Sequence, residues 1–563
     1  MNLSGTIRAL LLVTVPALSL VLAGQSQVKF ADVTASLGIQ FHHEASPTSQ
    51  KYLPETMGSG VALLDYDGDG RLDIFLANGA RIHDPMPAGS LPAKEHSAYW
   101  DRLYRQREDG TFDDVTETSG LSGRGYSIGV ASGDYDNDGD LDLYVTSLES
   151  NTLYRNNGDG TFTDVTESAG VGGSGWSSSA AFVDIDHDGL LDLFVCRYLD
   201  WSFEDNIYCG DRDRDHRAYC HPDEFSGLEP LLYHNQGDGR FKDISRQAGL
   251  TDKGKALGIA IADFNQDGWI DIFVANDSVA QFLYTNQGDG SFEEVALLWG
   301  AALDQDGNTY AGMGADFADY DNDGWPDLIV TNLSNQRYAL YRNRGHSNSF
   351  DYTTYVSGVG KITQLFSGWG VKFNDFDNDG WKDLFIAQGH VMDTIRIDSP
   401  HLRYLQPPLF LKNQKGEQFI DLSSQAGNSF AEQWAGRGLA TGDLDRDGDL
   451  DVVITAANQP AHVLRNDGGN QGNWISLRLV GSRSNRDGIG AAVQVVSPAG
   501  TRQFATVSTT GSYLSAVPPD IHFGLGPESQ ITQIEIRWPS GVVQRLDDVA
   551  ANHFLTVREP EER

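Results

Sequence analysis

Asp65, Asp67, Asp69 and Asp73 stand at positions one, three, five and nine of a short loop, Asp-x-Asp-x-Asp-Gly-x-x-Asp, which can turn all four carboxylates toward one centre. Gly70 allows the sharp bend and residue 71 can add its carbonyl, so the loop offers an all-oxygen shell on a flexible backbone, the environment Ca2+ takes. The pattern recurs at Asp134/Asp136/Asp138/Asp142, Asp184/Asp186/Asp188/Asp192, Asp319/Asp321/Asp323/Asp327, Asp375/Asp377/Asp379/Asp383 and Asp443/Asp445/Asp447/Asp451. One further copy, Asp263/Asn265/Asp267/Asp271, keeps the oxygen at its third position but drops a charge. A lone copy reads equally well as a solvated Asp-Gly turn, whereas seven copies predict a calcium-binding repeat holding up to seven ions. The flanks are β-rich, as in Leu72-Asp73-Ile74-Phe75-Leu76, and no Glu closes the loop at position twelve, so this is not an EF-hand.

The loops also explain the charge. Of the 79 acidic residues, 27 belong to them, leaving 52 against 41 basic residues, so most of the formal charge of -38 is metal-ligating rather than a general anionic surface. No basic stripe stands out, which argues against a nucleic-acid partner. Without metal the clustered carboxylates should repel one another and weaken the fold.

Each loop must be positioned by strands. A second module, Leu153-Tyr154-Arg155-Asn156 followed by a Gly158-Asp159-Gly160 turn and Phe162-Thr163-Asp164-Val165-Thr166, recurs from Leu232 and Leu283 and more loosely from Leu340 and Phe410. It reads as a hairpin. One unit is then strand A ending at the first Asp, the loop, strand B, a variable connection, strand C, the turn and strand D. Four strands repeated radially make a β-propeller, here of seven blades, with helix a minor element. Seven strand-C candidates, the last at His462-Val463-Leu464-Arg465-Asn466, are followed by only six strand-D segments. The missing one is residues 30–34, at the front, which should pair with strand C of the last blade and close the ring without leaving a sheet edge.

Small residues five positions before each first Asp (Gly60, Gly129, Ser179, Gly258, Gly314, Gly370 and Gly438) suit strands crowded round a central channel. Strand B separates the calcium loop from the B-to-C connection, so the long insertions at 79–102, 197–230 and 386–408 gather on the calcium-free face.

Arg8 precedes an apolar run from Ala9 to Ala23 that is short for a membrane span, which predicts a signal peptide over residues 1–23 and an exported, extracellular or periplasmic protein without a membrane span. Export permits disulfides. Cys209 and Cys220 share one polar insertion and are the expected pair, and Cys196, within an apolar strand, is expected to be a buried free thiol.

After Asn466 the repeats stop. Residues 468–472 form a linker between the expected propeller, residues 28–467, and a smaller β-rich unit, residues 473–559. That unit carries Asn-Arg-Asp-Gly-Ile-Gly-Ala at 485–491, Ser-Tyr-Leu-Ser at 512–515, His-Phe-Gly-Leu-Gly at 522–526 and Trp-Pro-Ser-Gly at 538–541. These segments resemble the ASPIC/UnbV domain, and the preceding repeats resemble FG-GAP/VCBS repeats of integrin-type propellers. Together they resemble the cartilage acidic protein family, which implies calcium in the Asp-rich loops and a role in recognition or adhesion, without supplying a reaction.

No Gly-x-Ser-x-Gly, His-Glu-x-x-His, P-loop or zinc-spaced Cys/His set is present. His42, His43, Glu55, His390 and His401 fall on the calcium-free face and either converge as a transition-metal or acid/base site or stand as separate hydrogen-bonded residues. No catalytic residue is assigned. Tyr126, Trp176, Tyr310, Trp369 and Trp434 lie six to nine residues before a first Asp, so five blades either present rings at the channel mouth for a glycan or protein ligand or plug it by packing. The favoured function is recognition of such a ligand; the alternative is a carbohydrate-active lyase or hydrolase with its site on the calcium-free face.

Overall fold

A computed structural model describes residues 28–213 and 216–561; the expected signal peptide lies outside them. The described residues form an all-β structure whose first part is seven four-stranded sheets, every neighbouring pair antiparallel. Blade one is Val61–Leu64, Asp73–Leu76, Arg102–Gln106 and Phe112–Asp114, and each later blade repeats this A-B-C-D order. Strand B is buried along its length, as in Asp327–Val330, because each blade is covered by a neighbour on both faces. Between blades five and six, for example, Ile329 and Leu340 pack with Val371, Leu384 and Ile386 in one apolar cluster.

The ring closes as the strand count requires. Phe30–Asp32 pairs antiparallel with His462–Asn466, Phe30 opposite Asn466 and Asp32 opposite Leu464, and supplies the outer strand of blade seven. A side-chain stitch repeats round the same circle. The Asn that ends strand C sends its Nδ2 to the carbonyl of the second loop residue in the preceding blade: Asn156 to Tyr66, Asn235 to Tyr135 and Asn343 to Phe264, each at 2.8 Å. In blade one Gln106 takes this place and reaches Leu444 of blade seven at 2.8 Å. Each blade thereby fixes the loop of its neighbour, so loop geometry and ring geometry are one property.

The second unit has two sheets. Ile521–Gly526, Asn473–Val480 and His553–Arg558 form one, with the last pair parallel; Arg502–Thr506, Ala492–Val496, Gln530–Arg537 and Val543–Ala550 form the other, antiparallel throughout. Ile475, Val493, Ile534 and Ile536 from these sheets share a continuous buried cluster with Ile270 and Ile272 of blade four, so the unit is packed on the disc rather than tethered to it.

The central channel is filled. Residues 509–517 of the second unit leave its sheets and thread among the innermost strands. Ser512 exchanges backbone hydrogen bonds with Ala315 (2.7 and 3.1 Å), Ala516 with Val61 and Leu63 (2.9 and 3.2 Å), and the Leu514 carbonyl accepts from Val130 N at 3.0 Å. Ser512 Oγ accepts from Val371 N and Ser515 Oγ from Leu439 N. The small residues of strand A serve this approach as well as blade crowding: a Cβ on Gly60 would lie 2.2 Å from the Leu514 carbonyl oxygen, and one on Gly438 2.9 Å from Ser515 Oγ. Among the described residues, no helix is long and apolar enough to cross a membrane.

Candidate functional site

Each Asp-rich loop is shaped by its own backbone before any ion is considered. The sixth-position glycines hold positive φ, +83° at Gly70 and +95° at Gly324, and so do the fourth-position residues, including Asn137, His187 and Asn378. This curl aims amides at the first carboxylate: Asp319 Oδ1 accepts from Asp323 N at 3.0 Å and Oδ2 from Gly324 N at 2.9 Å. The ninth-position Asp is held from outside the loop, Asp327 accepting from Asn343 N at 2.8 Å and Tyr320 N at 3.2 Å. Carboxylate oxygens of positions one, three and nine lie within 4.8 Å of one another in blades one, two, three and five: Asp65/Asp67/Asp73, Asp134/Asp136/Asp142, Asp184/Asp186/Asp192 and Asp319/Asp321/Asp327.

The fifth position departs from the expected four-carboxylate shell, and at two residues the expectation is corrected. Asp138 is exposed and stands outside the blade-two set; its Oδ1 turns back to its own chain and accepts from Asp140 N at 3.0 Å. Asp447 is likewise exposed, with Oδ1 accepting from Asp449 N at 3.2 Å and Oδ2 from Asn470 Nδ2 at 2.7 Å. The cause is the bend itself. It carries position five to the solvent side of the loop, where an Asp finds the amide two residues on before it finds the centre shared by positions one, three and nine.

That inner set fits a hard dication. Asp67 Oδ1, Asp184 Oδ1 and Asp271 Oδ2 are buried and accept no hydrogen bond, so they retain lone pairs that only a cation can use. Burial, with help from neighbouring carboxylates, pushes Asp73 up to about 8, Asp134, Asp184, Asp319 and Asp443 to about 7, and Asp263 to about 6. The blade-four set contains Asn265, whose Nδ2 donates to Asp267 Oδ2 at 2.8 Å and partly replaces the missing ligand charge with a neutral bond. Sequence reading overlooked the residue just before each strand-C Asn. Arg105 Nε lies 2.6 Å from Asp67, Arg342 Nε 2.5 Å from Asp321, His234 Nδ1 2.8 Å from Asp192 and Lys412 Nζ 2.6 Å from Asp377, while blade four has Thr285 there. Its signal was present in the repeat Leu-Tyr-Arg-Asn, where Arg follows strand-C alternation onto the loop side.

The expected aromatic face at the channel mouth is not open, and this corrects the reading of those five residues as exposed ligand contacts. Tyr126 and Trp176 are 1 % exposed, Trp369 0 %, Tyr310 3 % and Trp434 5 %. Tyr126 donates its hydroxyl to Pro54 O at 3.0 Å, and Trp176 packs edge-on against Tyr198 and Trp201. Trp369 meets Tyr513, the tip of the threaded segment, at 4.8 Å, with the buried Arg437 guanidinium 4.1 Å from its ring. Tyr126, Trp176 and Trp369 thus join Tyr513, Leu53 and Met57 in one sealing cluster, while Tyr310 pairs with Tyr341 and Trp434 stacks on His462 elsewhere. A segment from the far end of the chain occupies the space that the sequence left to solvent.

The histidines of this face make separate local bonds. His43 is buried and accepts from Asn458 N at 3.2 Å, burial pushing it down to about 3; His390 accepts from Met392 N at 3.0 Å and is pushed down to about 4. His42 faces Glu44, His401 is exposed, and Glu55 is buried against Tyr219 and Thr48. The insertion above them contains the hairpin Cys209–Asp211 with His216–Ala218 and the disulfide Cys209–Cys220, Cα atoms 5.2 Å apart, while Cys196 is free and buried.

The largest cavity lies on the other side, between the loop face of the disc and the second unit. It measures about 1040 Å³ and is walled by Asp263, Trp269, Phe317 and Asp319 below and by Gln494, Phe504, Arg537 and Trp538 above. Several of its charges are already matched. Asp316 holds Lys372 Nζ at 2.8 Å, Arg478 grips Asp520 through two bonds of 2.9 and 2.6 Å, and Glu535 accepts from Arg545 and Arg537. A space with paired charges, free hydroxyls such as Thr506 and Thr556, and half-exposed rings suits a neutral, hydroxyl-bearing guest.

Comparison with known proteins places these parts. The FG-GAP-like repeat model matches residues 65–145, 134–195, 226–274, 263–330 and 319–386, and the ASPIC and UnbV model matches residues 481–563. The chain is 25 % identical over 343 residues to cartilage acidic protein 1 of Homo sapiens, covering 60 % of this chain and 49 % of that protein, and 26 % identical over 347 residues to its Mus musculus counterpart, covering 61 % and 51 %. It spans about half the length of the curated relatives it matches. Similar solved structures include the BP39L lectin of Burkholderia pseudomallei (TM-score 0.44, 12 % identity, 74 % of this chain and 98 % of that one) and an Agrocybe aegerita lectin specific for non-reducing terminal N-acetylglucosamine (TM-score 0.39, 16 % identity, 67 % and 82 %).

Proposed function

This chain belongs to the FG-GAP-like repeat family, with an ASPIC and UnbV domain at its C-terminal end and homology to cartilage acidic protein 1, and from that premise we propose an exported, calcium-stabilised recognition module for a glycan or an extracellular protein. The observation that carries the reading is the cavity between the loop face and the second unit: it is the largest concave space described and pairs aromatic walls with polar groups whose charges are satisfied. Calcium is the ion that best suits the oxygen-only loops, and the described disulfide suits an oxidising compartment. Its part is to fix the loops that floor the cavity. Phe504, half-buried in the upper wall, is the side chain best placed to stack on a ring of the guest.

Screening the exported protein on glycan and extracellular-protein arrays, with calcium and with chelator, tests this. Binding that requires calcium and falls at least about tenfold in Phe504→Ala, with melting little changed, is the expected result. Binding insensitive to Phe504→Ala places the ligand elsewhere.

A further inference from the structure

Blade six departs from the other blades in what surrounds its four carboxylates. The eighth loop position, filled elsewhere by Leu, Ile or Pro, is Lys382. The strand-C position is Lys412, whose Nζ lies 2.6 Å from Asp377 Oδ1, 2.8 Å from Asp379 Oδ2 and 3.3 Å from Asp383 Oδ1. Depth separates it from its counterparts: the Lys412 side chain is 5 % exposed, against 47 % for Arg105 and 33 % for Arg342, which reach the loops from the rim. Lys382 is equally enclosed, donating to the His522 carbonyl at 3.2 Å with its ammonium 5.3 Å from the Phe523 ring.

Two buried ammonium groups beside four aspartates leave the same net charge as four aspartates around one Ca2+. Among the described residues, the bonds of the Lys412 ammonium all go to these aspartates, and a buried charge stripped of its partners is strongly unfavourable. An ion bound at the usual 2.3–2.6 Å from Asp377, Asp379 and Asp383 would take those partners and stand against a like charge. We propose that blade six holds no calcium and that Lys412, with Lys382, serves as a built-in replacement for it. The consequence is a metal-independent seat for the second unit, because this loop is where that unit docks: His522 Nε2 meets Asn378 Oδ1 at 2.6 Å, and Lys382 reaches the His522 carbonyl. One buried oxygen, Asp383 Oδ2, lacks a donor and would be available to an ion once the lysine is gone.

The inference rests on calcium filling the other loops, and the test separates the two. Native mass spectrometry of the exported full chain at saturating Ca2+ should show Lys412→Thr, which copies the Thr285 arrangement of blade four, carrying one ion more than wild type. Equal, non-zero counts overturn the replacement alone; no bound calcium in either protein overturns the calcium reading and the replacement with it. Should Lys412→Thr fail to fold, wild-type crystals soaked in Tb3+ decide the matter by anomalous scattering. Peaks in other loops with none among Asp375, Asp377, Asp379 and Asp383 support the replacement, and a peak there overturns it.

Discussion

The two faces of the disc are closed by different physics. On the loop face, seven near-identical turns gather buried carboxylates, several with oxygens lacking any donor, and the second unit rests on top. On the opposite face, unique insertions and the tip of the threaded segment bury Tyr126, Trp176, Trp369 and Tyr513 in an apolar seal. One face is stabilised by what binds it, the other by area removed from water. The repeated half of each blade should therefore respond to ions and pH, and the non-repeated half to packing.

Chelation is the strongest way to break this comparison. An ion bound only by the native state contributes about 2.7 kcal/mol per site at a hundredfold excess over Kd, so several sites together outweigh any single substitution. The pH dependence has a definite sign. Asp73 and Asp319 are raised from 3.8 to about 8 and about 7 in the metal-free fold, so their contribution is present below pH 4 and is lost as pH rises through those values. The melting increment produced by calcium should therefore grow from pH 5 to pH 8. Calorimetry showing the same increment at both would remove the loops from the stability account.

Tyr513→Ala probes the other face. Emptying a buried aromatic site costs about 3–5 kcal/mol, and the loss should be alike with and without calcium because no loop carboxylate belongs to that cluster. A penalty present only in chelator would show that the seal and the loops act as one unit.

The smallest effect concerns His43, on the calcium-free face. Burial lowers it from 6.5 to about 3, so the stability tied to its neutral form is present above pH 6.5 and is lost as pH falls toward 3, by up to about 1.4 kcal/mol per pH unit. His43→Asn, which keeps an acceptor for Asn458 N, should flatten this acid limb in saturating calcium while leaving neutral stability within about 1 kcal/mol. An unchanged acid limb would assign the loss to calcium release alone.

Much of this was legible in the chain because it is local or periodic. Loop spacing, the Gly at position six, the strand order and the closure by Phe30–Asp32 follow from patterns a few residues long, counted round a circle. The Cys209–Cys220 pair also follows from proximity in sequence. Spacing did not separate the inner carboxylates from Asp138 and Asp447, because an Asp that ligates and an Asp that caps its own turn occupy the same place in the pattern. Burial of Tyr126, Trp176 and Trp369 was not legible either, since periodicity tells which way a ring points but not what arrives to cover it. What arrives is Tyr513, several hundred positions after Tyr126 and Trp176, on a segment whose path depends on the docking of two sheets. The lysine pair in blade six shows the same limit: Lys382 and Lys412 look like ordinary surface charges until strand pairing and the second unit enclose them. Sequence by itself determined the repeat, the oxygen-rich loops and the ring, because each follows from backbone geometry within one unit. Only the tertiary structure decided which faces meet solvent and which charges share a shell, because burial and Coulomb interaction depend on distances between segments that no local pattern encodes.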